Sequence, residues 1–201
     1  MTALEERSPP ETYREASMPV LATEPLVLRA PRLEDVKAMA ALANDRRIAE
    51  NTRRLPHPYT VADAEQFVHW VSSSSGEMAL LVMLPDDTLI GAVGLGTLDG
   101  PAPEIGYWLG AAYWGKGYAT EAVRAVIDYA FTELDHEALQ AGARVTNPAS
   151  RRILEKCGFQ WTGVGLCRIR AISSSAPIDL FRLDRGLWAS LKSWREVKRV
   201  A

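Results

Sequence analysis

From residue 119 to 134 apolar side chains stand at Ala119, Ala122, Val123, Val126, Ile127, Ala130, Phe131 and Leu134. This is the i, i+3, i+4, i+7 spacing of a strongly amphipathic helix. A stripe that wide has to be buried against another layer, and the rest of the chain offers mainly short apolar runs of strand length. Leu26 to Leu28 is one. MALLVMLP and TLIGAVGLGTL flank Asp86-Asp87 as a hairpin, and EIGYWL follows at 104–109. Residues 139–145, 159–166 and 178–183 suit three further strands. Helical spacing recurs at Leu33, Val36, Ala40 and Ala43, and again at Val61, Ala64, Phe67, Val68 and Val71, behind a capping box at Thr60 and Asp63. Asn147-Pro148 opens a short helix that Lys156 and Gly158 close. Leu187, Leu191, Trp194 and Val197 give an amphipathic C-terminal helix. The order βααβββαβαββα predicts an α+β fold with a mixed sheet.

The 201 residues fit one domain, with 1–22 as an N-terminal extension, 23–185 as the domain and 186–201 as a C-terminal helix. A formal charge of -2 gives no general attraction to nucleic acid or to an acidic membrane surface, so neither is expected as a partner. No apolar run nears the roughly 20 residues of a membrane span. The first 19 residues carry charges where a signal peptide would be apolar, which reads as cytoplasmic. Cys157, Cys167 and three scattered histidines lack metal-ligand or redox spacing, so no metal is expected.

Between EIGYWL and the long helix lies GAAYWGKGYATEA, residues 110–122. Two glycines just before a helix start make an anion-binding architecture, because first-turn amides lack internal partners and glycine lets a phosphate approach the main chain. A Walker loop fits Gly110, Gly115 and Lys116 but meets Gly117 where the Mg²⁺-binding hydroxyl belongs. A dinucleotide fingerprint starting at Gly115 meets Thr120 at its third glycine. A plain strand-to-helix turn without a ligand is the remaining reading from spacing alone.

EIGYWLGAAYWGKGYATEAVRAVIDYAF at 104–131, taken with NPASRRILEKCGF at 147–159, resembles the GNAT superfamily of acyl-CoA-dependent N-acetyltransferases, in particular its RimJ/RimL-type branch. The likeness runs over about residues 24 to 185. It implies a GNAT-like, largely antiparallel sheet flanked by helices, splayed between the fourth and fifth strands, with acetyl-CoA as cosubstrate. The family's [QR]xxGx[GA] core falls on Trp114, Gly115, Lys116, Gly117, Tyr118 and Ala119, with Trp in place of Gln or Arg. The resemblance further implies cofactor contacts from Thr120, from the main chain near Trp108 and Leu109, from Asn147 and from Arg152. Arg151 and Lys156 are further cations on the same short helix. CoA's pyrophosphate needs a cradle but no catalytic Mg²⁺, since no phosphoryl bond breaks, which suits a loop lacking the Walker hydroxyl.

Amine acetylation needs a neutral nucleophile, an oxyanion partner and a proton for the departing thiolate. Glu104, on the strand before the loop, is the candidate base. Alternation sets Glu104, Gly106 and Trp108 on one face and Ile105, Tyr107 and Leu109 on the other. The tyrosine that many relatives use as acid is replaced by Leu154, and the glutamate some carry on the preceding strand by Gly142. Ser150 is the candidate group at the sulfur, Tyr107 the fallback acid, and an amide near Leu109 the oxyanion donor. The acceptor site is expected from residues 44–76 and from the segment joining the last two strands. Its basic stretch, with Arg46, Arg47, Arg53 and Arg54, is either a greeting for an acidic acceptor or a solvated surface. Trp70, Trp161, Trp188 and Trp194 are expected mostly in the core or a subunit contact, leaving a homodimer open. The acceptor is an amine of a protein N-terminus or of a small molecule. A non-catalytic acetyl-CoA sensor is the alternative, because the usual acid is missing, and a nucleotide hydrolase is a third and remote reading.

Overall fold

The computed structural model describes residues 18–73, 77–96 and 102–200, the side chains of 195–200 excepted. The first 17 positions of the expected N-terminal extension lie outside this range. Eight strands form one sheet: β1 (Leu21–Ala22), β2 (Val27–Arg29), β3 (Met78–Met83), β4 (Leu89–Gly96), β5 (Glu104–Leu109), β6 (Ala138–Arg144), β7 (Gln160–Ile169) and β8 (Ser174–Asp184). Their spatial order is β1-β2-β3-β4-β5-β6-β8-β7. Six helices accompany them: α1 (Val36–Ala43), α2 (Arg46–Ala49), α3 (Val61–Ser73), α4 (Tyr118–Thr132), α5 (Pro148–Cys157) and α6 (Arg185–Val200). The fold is α+β, a largely antiparallel sheet with helices on both faces, as the sequence pattern predicts.

Only β5 and β6 pair in parallel among these strands. A parallel neighbour needs a crossover, and α4 is that crossover. Its apolar stripe from Ala122 to Phe131 is buried against β4, β5 and their neighbours. On the opposite face α1 and α3 cover Leu81, Met83 and Ala92. The β5–β6 ladder holds only at Glu104 with Gln140 and Ile105 with Ala141, and past those residues the strands part. This opening is the expected splay, between the fourth and fifth strands of the sequence reading.

Three local features differ from the pattern-based expectation. Leu21–Ala22, read as part of the extension, pair with Val27 and Leu28. A two-residue strand is too short to leave a period. The long helix stops at Thr132, whose hydroxyl donates to the Asp128 carbonyl, so Leu134 stands outside it and is exposed. β8 lies between β6 and β7, an order that the alternation of two successive strands does not encode. No helix among the described residues is long and apolar enough to cross a membrane.

Candidate active site

The loop after β5 enters α4 through Gly115 and Gly117, at φ 76° and 88°. Both angles lie in the left-handed region that glycine adopts without strain. No atom lies within 4 Å of where a Cβ would stand on either glycine. The main chain there is bare. Gly117 is the N-cap and offers no side chain, while the first helical bond runs from the Glu121 amide to the Gly117 carbonyl. The amides of Tyr118, Ala119 and Thr120 therefore have no partner inside the helix, and they sit at the positive end of a fifteen-residue dipole.

These residues border a cavity of about 460 Å³. Trp108, Leu109, Trp114, Gly115, Gly117, Tyr118, Ala119 and Thr120 line one side, and Asn147, Ser150, Arg152 and Lys156 line the other. The bare cradle and the cations Arg152 and Lys156 in the lining fit an anionic, nucleotide-bearing thioester such as acetyl-CoA. One expected contact and one further cation fall elsewhere. Lys116 is absent from the lining, and its ammonium stands 5.6 Å over the Tyr113 ring. Arg151 turns to Glu155 at 2.9 Å and to Asp179 at 3.3 Å. Asn147 accepts a hydrogen bond from the Ser150 amide at 3.1 Å, which gives its Oδ1 the capping role, and the residue also lines the cavity.

The strand edge in the splay has a definite polarity. Gly110 donates its amide to the Ile90 carbonyl, so the hydrogen-bonded pairs of β4 and β5 are Ile90 with Gly110 and, two residues on, Ala92 with Trp108. Trp108 spends its amide and carbonyl on β4. On the other edge Gln140 donates to the Pro103 carbonyl, and alternation then turns the main chain of Tyr107 and Leu109 toward the opening. The main chain available to a ligand is thus that of Tyr107 and Leu109; of the two residues expected there, Leu109 turns its main chain to the opening and Trp108 does not. The Leu109 carbonyl accepts the Trp114 indole N–H at 2.7 Å, while its amide stays directed into the splay. Arg47 lies 5.5 Å over the Trp114 ring.

A second cavity, of about 490 Å³, occupies the α1–α3 face. Its walls are Tyr59, Phe67 and Trp70, its floor includes Gly94, Gly106 and Gly142, and Cys167, Ile169, Arg170 and Ile178 of the β7–β8 hairpin close one side. This is the region expected for the acceptor. The two cavities share Asn51, Thr52, Tyr107, Trp108 and Ser150. At that junction the Tyr107 hydroxyl lies 2.9 Å from Ser150 Oγ and 3.2 Å from the Ser150 carbonyl oxygen. Burial pushes the Tyr107 phenol well above its usual range, with the Ser150 hydrogen bond offsetting part of the rise. It remains protonated at neutral pH and acts as a donor. Glu104 belongs to the second cavity alone, with its Oε2 3.3 Å from an Arg53 nitrogen.

Leu154 is fully buried in the core, so the absent helix acid has no substitute at its own position. The hydroxyl pair comes instead from β5 and the first turn of α5. Expecting Tyr107 and Ser150 separately missed their contact, which depends on how α5 packs across the splay. The aromatic wall was also missed. Trp70 lines the acceptor cavity with Arg54 5.3 Å over its ring, and Trp161 and Trp194 are more than half exposed. Trp188 is built into the structure, 5.0 Å from Phe131 and donating to Asp128.

A family model described as an acetyltransferase (GNAT) domain matches residues 25–160. An uncharacterised N-acetyltransferase, p20 of Bacillus licheniformis, is 31% identical over 73% of this chain and 85% of its own length. Among solved structures, a GNAT-family acetyltransferase from Bacillus anthracis aligns with a TM-score of 0.73 at 22% identity, over 83% of this chain and 99% of that one. Mycobacterium smegmatis RimJ, in complex with CoA-disulfide, aligns with a TM-score of 0.69 at 20% identity, over 79% and 81% of the two chains.

Proposed function

The chain belongs to the GNAT acetyltransferase family and is an acetyl-CoA-dependent N-acetyltransferase, and from that premise we propose that it acetylates a primary amine by direct attack in a ternary complex. The observation that carries the proposal is the junction: two cavities, one with an anion cradle and one without, meet at Tyr107, Trp108 and Ser150. Direct transfer requires donor and acceptor to lie together in attack geometry, and a shared wall of this kind supports it.

Acetyl-CoA supplies an activated thioester carbonyl. The amides of Tyr118, Ala119 and Thr120 hold its pyrophosphate, with Gly115 and Gly117 keeping the approach clear, and Arg152 and Lys156 face its phosphate end. The Leu109 amide points into the splay, where it donates to a carbonyl oxygen as negative charge grows there. Tyr107 has one proton to give. When it goes to Ser150 Oγ, the Ser150 proton is free for donation at the junction, where a leaving thiolate needs one. Glu104 accepts the acceptor's proton, directly or through water, and its ion pair with Arg53 fixes the carboxylate at the edge of the acceptor cavity.

We assign the chain to the RimJ/RimL-type branch. The resemblance of residues 104–131 and 147–159 to that branch, in which a Trp at the place of Trp114 and a Ser at the place of Ser150 are familiar, supports the assignment, as does the likeness to Mycobacterium smegmatis RimJ. The acceptor is an amine of a protein N-terminus or of a small molecule. The test is thiol release from acetyl-CoA against a panel of α-amines, amino sugars, polyamines and N-terminal peptides. Acetylated product with at least one class is expected. Thiol release no faster than hydrolysis with every amine would leave a binding-only role.

A further inference from the structure

Resting on the acetyltransferase reading, the charges of the acceptor cavity narrow the acceptor itself. Four arginines line that cavity, Arg53, Arg54, Arg144 and Arg170, against three carboxylates. Each carboxylate already has an arginine. Glu104 pairs with Arg53 at 3.3 Å, Glu77 with Arg54 at 3.1 Å and Asp63 with Arg170 at 3.7 Å. Arg144 is the surplus cation. Among the described residues its guanidinium donates to one acceptor, the Glu50 carbonyl at 2.9 Å, and its Nε is buried without a partner. A guanidinium has five N–H donors in a planar fork, and that fork matches the oxygens of a carboxylate or phosphate.

The position of Arg144 adds to the chemistry. It is the last residue of β6, on the same face as Gln140, which pairs with Glu104. Between them on that face stands only Gly142, and across the splay Gly106 has nothing within 4 Å of a Cβ position. The floor is therefore open at Gly106, and beside Gly142 the Ile178 side chain of β8 comes to 3.3 Å of a Cβ position and borders it. A plain alkylamine or polyamine enters with positive charge into a cavity whose arginines already outnumber its carboxylates. An acceptor carrying its own anionic group removes that repulsion and pairs with the Arg144 guanidinium where it lines the cavity. The geometry points to an acceptor that bears an anionic oxygen group, carboxylate or phosphate, on the same small molecule as its amine, with Arg144 as the residue that binds it.

The experiment uses the full chain and matched acceptors in the thiol-release assay. One arm compares an amino acid with its carboxamide and with the amine lacking the carboxylate. The other compares an amino-sugar phosphate with the free amino sugar. The anionic member of at least one arm is expected to show kcat/KM about tenfold higher or more, and the arm that shows it identifies the group. In Arg144→Gln that preference should fall toward one, mainly through KM, and Arg144→Lys should restore part of it. The acetyl-CoA Kd and the melting temperature show whether the variant is folded. Equal or better use of the neutral members by the unmodified protein would overturn the inference and leave the acetyltransferase reading standing. A preference unchanged in a folded Arg144→Gln protein would overturn the role of Arg144. Failure of every amine, charged or neutral, would overturn the acetyltransferase reading and this inference with it.

Discussion

The two cavities differ in what they are made of. The donor side is built mainly from main chain: the amides that open α4, two glycines held at positive φ, and the strand edge of Tyr107 and Leu109. The acceptor side is built from side chains that residues 51–70, 104–108, 142–144 and 167–178 bring together. A main-chain site can change most of its side chains and still bind the same anion. A side-chain site changes its ligand with each substitution. The contrast explains how one fold keeps a common donor while its acceptors vary, and it predicts that substitutions on the two sides will have different kinetic signatures.

The largest effect is expected at Glu104, which we propose as the base on the acceptor side. Glu104→Gln keeps the size and much of the hydrogen bonding, so loss of the base should lower kcat/KM by about 10² to 10⁴ where the amine is charged. The defect should shrink as pH rises toward the amine's own pKa, because the substrate then arrives deprotonated. The profile of both proteins from about pH 6 to 9.5 reads this directly. A ratio flat across that range, matched by a change in melting temperature, would make Glu104 structural through its pair with Arg53.

The main-chain half of the site is the half that the sequence made legible. Gly115 and Gly117 announce a left-handed turn, and Asn147-Pro148 with Gly158 announces α5, because each constraint is local and falls on residues with special backbone chemistry. Glu104 and Ser150 are proposed from the same two segments. Arg144, Trp70 and Tyr59 carry no such mark. They matter through contacts across dozens of residues, and a tryptophan at helical spacing looks the same whether it faces the core or a cavity. Which of Trp108 and Leu109 turns its main chain to the splay was illegible for a similar reason, since the sheet's hydrogen-bond parity is set by pairing with β4 and β6.

On the donor side the sharpest break is Gly117→Val. Nothing crowds the Cβ position, so the effect comes from φ of 88°, which valine resists, and from a side chain placed in the proposed pyrophosphate cradle. Acetyl-CoA binding should weaken at least tenfold by calorimetry, with a smaller effect on acceptor KM. An unchanged affinity would remove this loop from the cradle.

The junction should respond in kcat. Tyr107→Phe and Ser150→Ala each remove one member of the hydroxyl pair, and each should lower kcat by about tenfold with little change in the acetyl-CoA KM, as expected of groups used in the transition state. If the two hydroxyls act as one relay, the double variant should be little worse than either single one. Fully additive losses would mean that they work separately.

The smallest effect, and the finest test of a main-chain site, is expected at Trp114. Its indole N–H donates to the Leu109 carbonyl at 2.7 Å, tying the phosphate loop to the strand edge that faces the splay. The ring is nearly half exposed, so little core packing is at stake. Trp114→Phe removes the hydrogen bond but keeps an aromatic face for Arg47. A net hydrogen bond is typically worth about 1 kcal/mol, which corresponds to roughly a fivefold loss of acetyl-CoA affinity if the bond serves only to hold the loop in its binding form. Trp114→Gln returns the residue type common in the family motif and supplies a different donor, so it should lose less than Phe. Because the Leu109 amide and carbonyl flank the same strand edge, a kcat loss accompanying the Kd change would show that Trp114 also aims the amide at the reacting carbonyl. A Kd that moves alone would confine it to the loop. Equal affinities in all three proteins would mean that the glycines and the α4 amides suffice, and the tryptophan's bond to Leu109 would then be a consequence of the loop's shape and not one of its causes.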